Sequence, residues 1–146
     1  MIEVDVASVL APDAPAYARG FIGLAFRIDD DNRFESIYLR PINSRVDDQI
    51  RRNRTIQYVA YPDFTFPRLR HEEPGKYETY VDVEMEEWIG MRLVVKGSRA
   101  ELFINAASHP VLIVTDLKLG ALQRGGVGCW IEAGTIGYFS GLRVIE

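Results

Sequence analysis

The stretch Arg19–Pro41, RGFIGLAFRIDDDNRFESIYLRP, decides the fold of this chain. Apolar residues such as Ile22, Leu24 and Phe26 recur at every second position on both sides of a polar corner, Asp29–Asn32. Alternation of period two around an Asp/Asn turn is typical of a β-hairpin that buries one face. Because similar runs continue to the C-terminus, the sequence predicts an all-β protein.

The same alternation divides the side chains of this hairpin between two faces. The even-numbered residues of the range 22–28 are assigned to the core, and the odd-numbered residues from Phe21 to Arg27 face away from it. In the second run, Tyr38 and Arg40 also face away from the core, opposite Ile37. Since side chains of one parity share a sheet face, we expect Arg27, Tyr38 and Arg40 to lie on one surface.

Ten short strands separated by turns account for most of the chain. Ser44–Arg54 is predicted to be a loop, and Asp116–Leu122 to form one short turn capped by Asp116. No linker or repeat divides the sequence, so we expect one domain over residues 1–146, an all-β, two-sheet antiparallel β-sandwich. The strands are predicted near residues 2–8, 20–29, 34–41, 55–61, 77–86, 88–96, 99–105, 111–115, 126–132 and 136–145.

Composition narrows the classes of protein to which the chain can belong. The 146 residues have a net charge of −4 and an apolar fraction of 47%, which is ordinary for a globular domain. No apolar run approaches the roughly 20 residues that span a bilayer, so no membrane span is predicted. The single Cys129 excludes an internal disulfide. The compartment stays open: cytoplasmic, or extracellular or periplasmic if a leader was removed.

Arginine dominates the cations, with 14 arginines against 3 lysines, and five arginines lie between Arg40 and Arg54. An acidic protein lacks the continuous positive surface that nucleic acid requires, so no nucleic-acid partner is predicted. Arginine instead offers a planar fork suited to carboxylates, hydroxyls and ring faces. The alternative explanation of the run is a solvated loop with Asp47 and Asp48 as ion-pair partners.

Four segments carry motifs of a known family: Ile2–Val6, Arg19–Pro41, Trp88–Asn105 and Gly126–Val144. Two endings are the clearest, Phe103-Ile104-Asn105 and the closing strand Phe139–Val144. In these segments the chain resembles the concanavalin A-like lectin/glucanase jelly roll, in its bacterial laminin G-like branch that includes 3-keto-disaccharide hydrolase-type domains. The resemblance implies a jelly-roll sandwich, with one sheet on which glycans lie.

Members of that branch usually have a strand before the segment that corresponds to Ile2–Val6. Its absence here predicts an unpaired sheet edge, which proteins normally cover. We therefore expect either that upstream residues were lost or that a second copy covers the edge in a homodimer.

A carbohydrate ligand is the first functional hypothesis. Flat aromatic faces hold the C–H groups of a sugar ring, while polar forks bind its hydroxyls. The alternative is a surface on which Arg–Glu and Arg–Tyr pairs merely cover a sheet. The candidate binding residues are Arg27, Tyr38, Arg40, Gln57 and Tyr80 near Glu78, with Tyr58, Arg70 and Trp130 at the rim.

The second hypothesis is a glycoside hydrolase of the same fold, and the third is a protein-interaction domain. Retaining hydrolysis needs two carboxyl groups about 5–5.5 Å apart. Glu78 and Glu35 are the preferred acid/base candidates, because burial beside aromatic rings raises a carboxyl pKa. The run Asp82–Glu86 offers three further carboxylates, although they also fit the solvent side of an amphipathic strand.

No cofactor is predicted, with calcium at the hairpin corner as a weak alternative. Asp29 and Asp31 supply carboxylates there. Calcium needs six to eight oxygens, and a plain Asp/Asn turn explains the same residues. The two histidines, His71 and His109, lack any zinc-ligand spacing.

Overall fold

A computed structural model describes all 146 residues as two packed five-stranded antiparallel sheets. This confirms the predicted β-sandwich of jelly-roll type. The strands are β1 (Ile2–Leu10), β2 (Ile22–Ile28), β3 (Phe34–Leu39), β4 (Ile56–Tyr61), β5 (Glu78–Thr79), β6 (Ile89–Lys96), β7 (Arg99–Ile104), β8 (Leu112–Val114), β9 (Gly126–Ile131) and β10 (Thr135–Val144).

The strand order is β10-β1-β6-β7-β8 in one sheet, here called the β1 sheet, and β5-β4-β3-β2-β9 in the other, the β3 sheet. The core lies between them and is built by the alternation that the sequence predicts. Val4 and Leu93 from the β1 sheet meet Leu24, Ile37 and other buried side chains from the β3 sheet. Burying apolar surface at about 25 cal/mol per Å² is the main force that holds such layers together.

The hairpin between β6 and β7 follows the predicted register. Met91 lies opposite Ile104, Leu93 opposite Leu102, and Val95 opposite Ala100. Glycine at position 97 takes a positive φ of 59° in the turn, a conformation that other residues reach only with strain.

Two short helices and a 3₁₀ turn lie outside the sandwich: α1 (Gln49–Arg52), α2 (Phe66–Glu72) and the 3₁₀ turn Pro41–Arg45. The prediction of a loop over Ser44–Arg54 was therefore wrong at α1. The carboxylate of Asp48 accepts hydrogen bonds from the backbone N–H groups of Ile50 and Arg51, which stabilises the first turn.

Two further local predictions were wrong. The strand expected over residues 77–86 is reduced to Glu78–Thr79, because the chain leaves the sheet as an irregular segment after Thr79. Asp116 does not cap a turn with its side chain. It accepts hydrogen bonds from the Tyr77 hydroxyl and from Lys76 and Lys118 instead.

The open edge does not lie beside the first strand. β1 pairs with both β10 and β6, so both of its sides are occupied. The edge strands of this sheet are β10 and β8, and on β10 the side chains of Ile136, Tyr138 and Val144 are exposed. A homodimer through a sheet edge stays a prediction. None of the helices has the length and apolar character needed to cross a membrane.

Candidate functional site

A cleft of about 540 Å³ opens on the outer face of the β3 sheet. It forms where the end of β3 meets the loop before β2 and both short helices. Aromatic rings and arginines make up most of its wall. The lining residues are Tyr17, Arg19, Phe21, Tyr38, Arg40, Asn43, Arg51, Arg54, Phe66, Arg70 and Glu132.

The floor of the cleft is an aromatic stack built across a glycine. Gly23 of β2 lies between Tyr38 of β3 and Trp130 of β9 in the sheet register. The two rings stack over it, with centroids 4.3 Å apart and an interplanar angle of 22°. Phe21 meets Tyr38 edge-on at 6.3 Å. A Cβ at position 23 would collide with the Ile37 carbonyl oxygen and with Tyr38, so the close packing here requires glycine.

Tyr38 presents a neutral hydroxyl beside this floor. Burial raises the pKa of Tyr38 to about 12, so the phenol stays protonated at physiological pH. Its oxygen accepts a hydrogen bond from Arg40 Nη2 at 3.1 Å. The hydroxyl proton is therefore free to be donated to an acceptor outside the protein.

Arg40 is a buried guanidinium whose protein acceptors are all neutral. Its residue is 5% exposed, and it donates to the Arg54 carbonyl at 2.9 Å and to Gln57 Oε1 at 3.3 Å, besides Tyr38. Burial lowers the pKa of Arg40 from its ordinary value. Burying a charged group without a bound opposite charge is costly. This cost makes Arg40 a candidate ligand-binding residue of the cleft.

Two more arginines of the cleft also bind only neutral groups. Arg19 donates to the carbonyls of Ala16 and Ala18, and Arg51 donates to Asn43 Oδ1 at 3.0 and 3.2 Å. Burial and, second, the charge of Arg51 lower the pKa of Arg19. The cleft thus holds like charges close enough to disfavour one another.

One carboxylate, Glu78, pairs with the remaining two arginines from the back of the cleft. Arg70 binds it at 2.5 and 3.0 Å, and Arg54 lies 3.7 Å away. The Glu78 side chain is 7% exposed. A carboxylate held this closely by a guanidinium fork is committed to an ion pair.

The structure brings part of the predicted binding set together. Tyr38, Arg40 and Arg70 line the cleft, while Gln57 lies beneath Arg40 and Trp130 lies behind Tyr38. The other three predicted binding residues are not in its wall. Tyr80 is half-exposed beyond β5, and Arg27 and Tyr58 lie on the inner side of the sheet.

Arg27 is the clearest departure from the predicted alternation. A bulge between Phe26 and Ile28 gives Arg27 a positive φ of 52°, and such irregularities redirect a side chain. Its guanidinium binds Glu35 at 2.6 and 2.8 Å and reaches the carbonyl of Gly97 in the opposite sheet. The expectation that Arg27 and Tyr38 share one face was therefore wrong.

Tyr58 completes this inner cluster. The residue is fully buried, and its hydroxyl donates to Glu35 Oε1 at 2.8 Å while accepting from the Lys118 N–H. Burial, followed by the charge of Glu35, raises the pKa of Tyr58 far above its ordinary value. These contacts assign Tyr58 to the interior of the sandwich.

The two preferred acid/base candidates of the hydrolase hypothesis lie on opposite faces of the β3 sheet. Glu35 faces the core with Phe26 as its register partner, whereas Glu78 lies next to Gln57 on the outer face. Asp82 and Glu84 both bind Arg45 in an exposed segment. Glu35 and Glu78 therefore do not flank a common space in the manner that glycoside hydrolysis requires.

The hairpin corner uses its oxygens within the protein. The Asp29 carboxylate accepts hydrogen bonds from the N–H groups of Asp31 and Arg33, from the Arg33 side chain and from Gln123. These bonds, led by that from the Arg33 backbone, lower the pKa of Asp29 to about 2. No group of three or more metal-ligating side chains occurs in the chain. Calcium at this corner stays a prediction.

Sequence reasoning missed the walls of the cleft. Tyr17 and Arg19 lie in the loop before β2, Arg51 on α1 and Phe66 on α2. The dense arginines between residues 40 and 54 were the available signal. Nothing in strand alternation shows that this run folds back over the sheet.

The comparisons with known proteins give a likeness of fold. No family model matches the chain, and no curated protein matches it. Among solved structures, the chain is similar to a carbohydrate-binding module, CBM66 from Bacillus subtilis, with a TM-score of 0.63. The match covers 97% of this chain and 72% of that one at 11% identity, so it establishes a shared β-sandwich fold.

Proposed function

We propose that this chain is a carbohydrate-binding β-sandwich domain whose binding site is the cleft on the β3 sheet. The observation that carries the proposal is the pairing of aromatic rings with guanidinium forks in one open cavity. Its volume of about 540 Å³ falls within the roughly 300–1,000 Å³ of small-ligand sites. The solved structure of similar fold is itself titled a carbohydrate-binding module.

The rings and forks play different parts in this proposal. Tyr17 and Phe66 are exposed by 61% and 40%, which leaves part of each ring accessible to the C–H groups of a sugar ring. Tyr38 lies lower and offers a hydroxyl. Arg40 and Arg51 offer N–H donors for ring oxygens or substituents.

Binding without turnover is preferred to hydrolysis. The acids nearest the cleft are Glu78, which is held by Arg70, and a single rim residue, Glu132. On the basis of the resemblance to 3-keto-disaccharide hydrolase-type domains, the proposed role of this domain is accessory to glycan-processing enzymes. A protein-interaction domain remains the alternative if no glycan binds.

A glycan array that contains neutral and acidic oligosaccharides tests the proposal directly. The wild type should bind a defined subset, and Tyr17→Ala and Phe66→Ala should each weaken binding about two- to tenfold, since ring stacking contributes about 0.5–1.5 kcal/mol. Tyr80→Ala is the matched control, because Tyr80 is 39% exposed but lies outside the cleft. Absence of binding to every glycan, or equal loss in Tyr80→Ala, would overturn the proposal.

Product analysis separates binding from hydrolysis. Glycans that bind should be recovered intact after prolonged incubation with the wild type. Release of shorter products, abolished by Glu78→Gln, would favour the hydrolase hypothesis instead.

A further inference from the structure

The cleft concentrates positive charge on a protein that is acidic as a whole. Five arginines and one glutamate line it, and Glu78 pairs with two of these arginines from behind. The formal charge of this group is +3, whereas the full chain carries −4. Outside the lining, most arginines are neutralised locally: six of the other nine lie in ion pairs. The unbalanced charge is therefore a property of this cavity.

Three arginines of the lining have no carboxylate partner. Arg40 binds a carbonyl, an amide oxygen and a phenol, Arg51 binds an amide oxygen, and Arg19 binds two carbonyls. These acceptors fix the guanidinium planes without cancelling their charge. The Nη1/Nη2 edge of Arg51 and the Nε/Nη2 edge of Arg19 remain free, and such an edge binds a carboxylate or sulfate through two parallel hydrogen bonds. The terminal N–H groups of Arg40 all bind protein acceptors and leave only its Nε–H for a ligand.

The surroundings raise the energetic cost of leaving Arg40 without an anion. The guanidinium carbons of Arg40 and Arg70 both face the ring of Phe66, at 5.4 and 5.0 Å from its centroid. Stacking on a ring offsets part of the desolvation of a cation. It does not replace an opposite charge, and the second guanidinium adds repulsion.

We propose that the cleft recognises an acidic sugar, in which a carboxylate or sulfate group binds the free guanidinium edges of Arg19 and Arg51 beside the Nε–H of Arg40, while the ring packs on Tyr17 and Phe66. This inference rests on the proposed function and names the class of glycan. Carboxylated and sulfated sugars share this chemistry, because each carries an oxyanion attached to a sugar ring. Glu132 at the rim lies available for a sugar hydroxyl, since it takes part in no ion pair.

Isothermal titration with paired saccharides tests the ligand class. Trigalacturonate is compared with its fully methyl-esterified form, which keeps the rings and removes the charge. A sulfated galactan oligomer is compared with its unsulfated parent. We expect at least tenfold tighter binding of one acidic member over its neutral partner, with affinity that falls as salt increases. The pair that shows the difference identifies carboxylate or sulfate as the source.

Variants locate the preference within the cleft. Arg51→Gln keeps a helix-forming residue in α1 and should lower affinity for the acidic member at least tenfold while sparing the neutral one. Arg19→Gln is a second variant if the first fails to fold. Arg99→Gln, on the β1 sheet, is the control and should bind like the wild type.

The outcomes separate this inference from the proposed function. Equal affinity for the acidic and neutral members of both pairs would overturn the acidic-sugar inference and leave carbohydrate binding standing. An acidic preference that survives in Arg51→Gln and Arg19→Gln would also overturn it. Failure of every saccharide, on the array and in titration, would overturn both.

Discussion

Two buried arginines on opposite faces of the β3 sheet differ in what neutralises them. Arg27 lies on the inner face, 10% exposed at the side chain, and binds the carboxylate of Glu35. Arg40 lies on the outer face, 5% exposed, and binds only neutral oxygens. Similar burial with opposite pairing indicates that the first arginine stabilises the sandwich, whereas the second is available for a ligand.

The inner cluster also joins the two layers. Arg27 donates to the carbonyls of Gly97 and Gly120, and Glu35 accepts from Tyr58 as well. The guanidinium of Arg27, the carboxylate of Glu35 and the hydroxyl of Tyr58 all have hydrogen-bond partners within the chain. A cluster of this kind leaves nothing for a ligand to complete.

The largest expected effect follows from breaking the inner pair. Glu35→Gln leaves Arg27 buried without an opposite charge and should lower the free energy of unfolding by about 3 kcal/mol. Urea unfolding measures it. Glu101→Gln, in the exposed pair with Arg99, is the control and should cost less than about 1 kcal/mol. A similar decrease in the free energy of unfolding of both variants would show that the Arg27–Glu35 pair stabilises the fold no more than an exposed ion pair does.

The outer arginine should behave in the opposite way. Arg40→Met removes a costly buried charge but leaves Gln57 Oε1 without its donor, so we expect the free energy of unfolding to change by about 1 kcal/mol or less. Glycan affinity should fall at least tenfold. A destabilisation as large as that of Glu35→Gln, with binding retained, would contradict the assignment of Arg40 to a ligand site.

The smallest effect concerns acid stability beside the inner cluster, where Gln123 bonds both the Arg27 carbonyl and Asp29. The pKa of Asp29 is lowered to about 2 by its hydrogen bonds, against about 3.9 in an unfolded chain. The stabilisation is therefore complete above about pH 4 and is lost as pH falls through 2.

Thermal unfolding of Asp29→Asn across this window tests that sign. The variant should be less stable than the wild type at pH 5, and the difference should shrink as pH falls toward 2. The Asp30 carboxylate, in the same corner, accepts no comparable hydrogen bonds, so Asp30→Asn serves as the control. A difference that is independent of pH would mean that the Asp29 bonds do not depend on its charge.

A residue's position could be predicted from the sequence where strand alternation alone determines it. The alternation of Leu24, Phe26 and Ile37 predicts the sheets, because strand geometry fixes the direction of side chains. The same alternation correctly predicts that Tyr38 and Arg40 lie on the outer face of the sheet, where the cleft is. Arg27 did not, because one bulge reverses the parity and has no sequence signature of its own.

The cleft walls lay further beyond prediction. Arg51 and Phe66 reach the site from helices of four and seven residues, whose placement depends on tertiary packing rather than on propensity. The pairing of Arg70 with Glu78, and the lack of any such partner for Arg40, are likewise facts of three-dimensional distance. The charge of the site therefore appeared only with the structure.

The most direct test is an NMR titration of the arginine Nε–Hε signals of the wild type with the acidic saccharide that binds in calorimetry. The account predicts that the Arg40 signal shifts with the same dissociation constant as the calorimetry, while the Arg27 signal stays in place. A saturating ligand that leaves Arg40 unmoved, or that moves Arg27 instead, would contradict the division between a self-contained inner arginine and an outer one that binds the sugar.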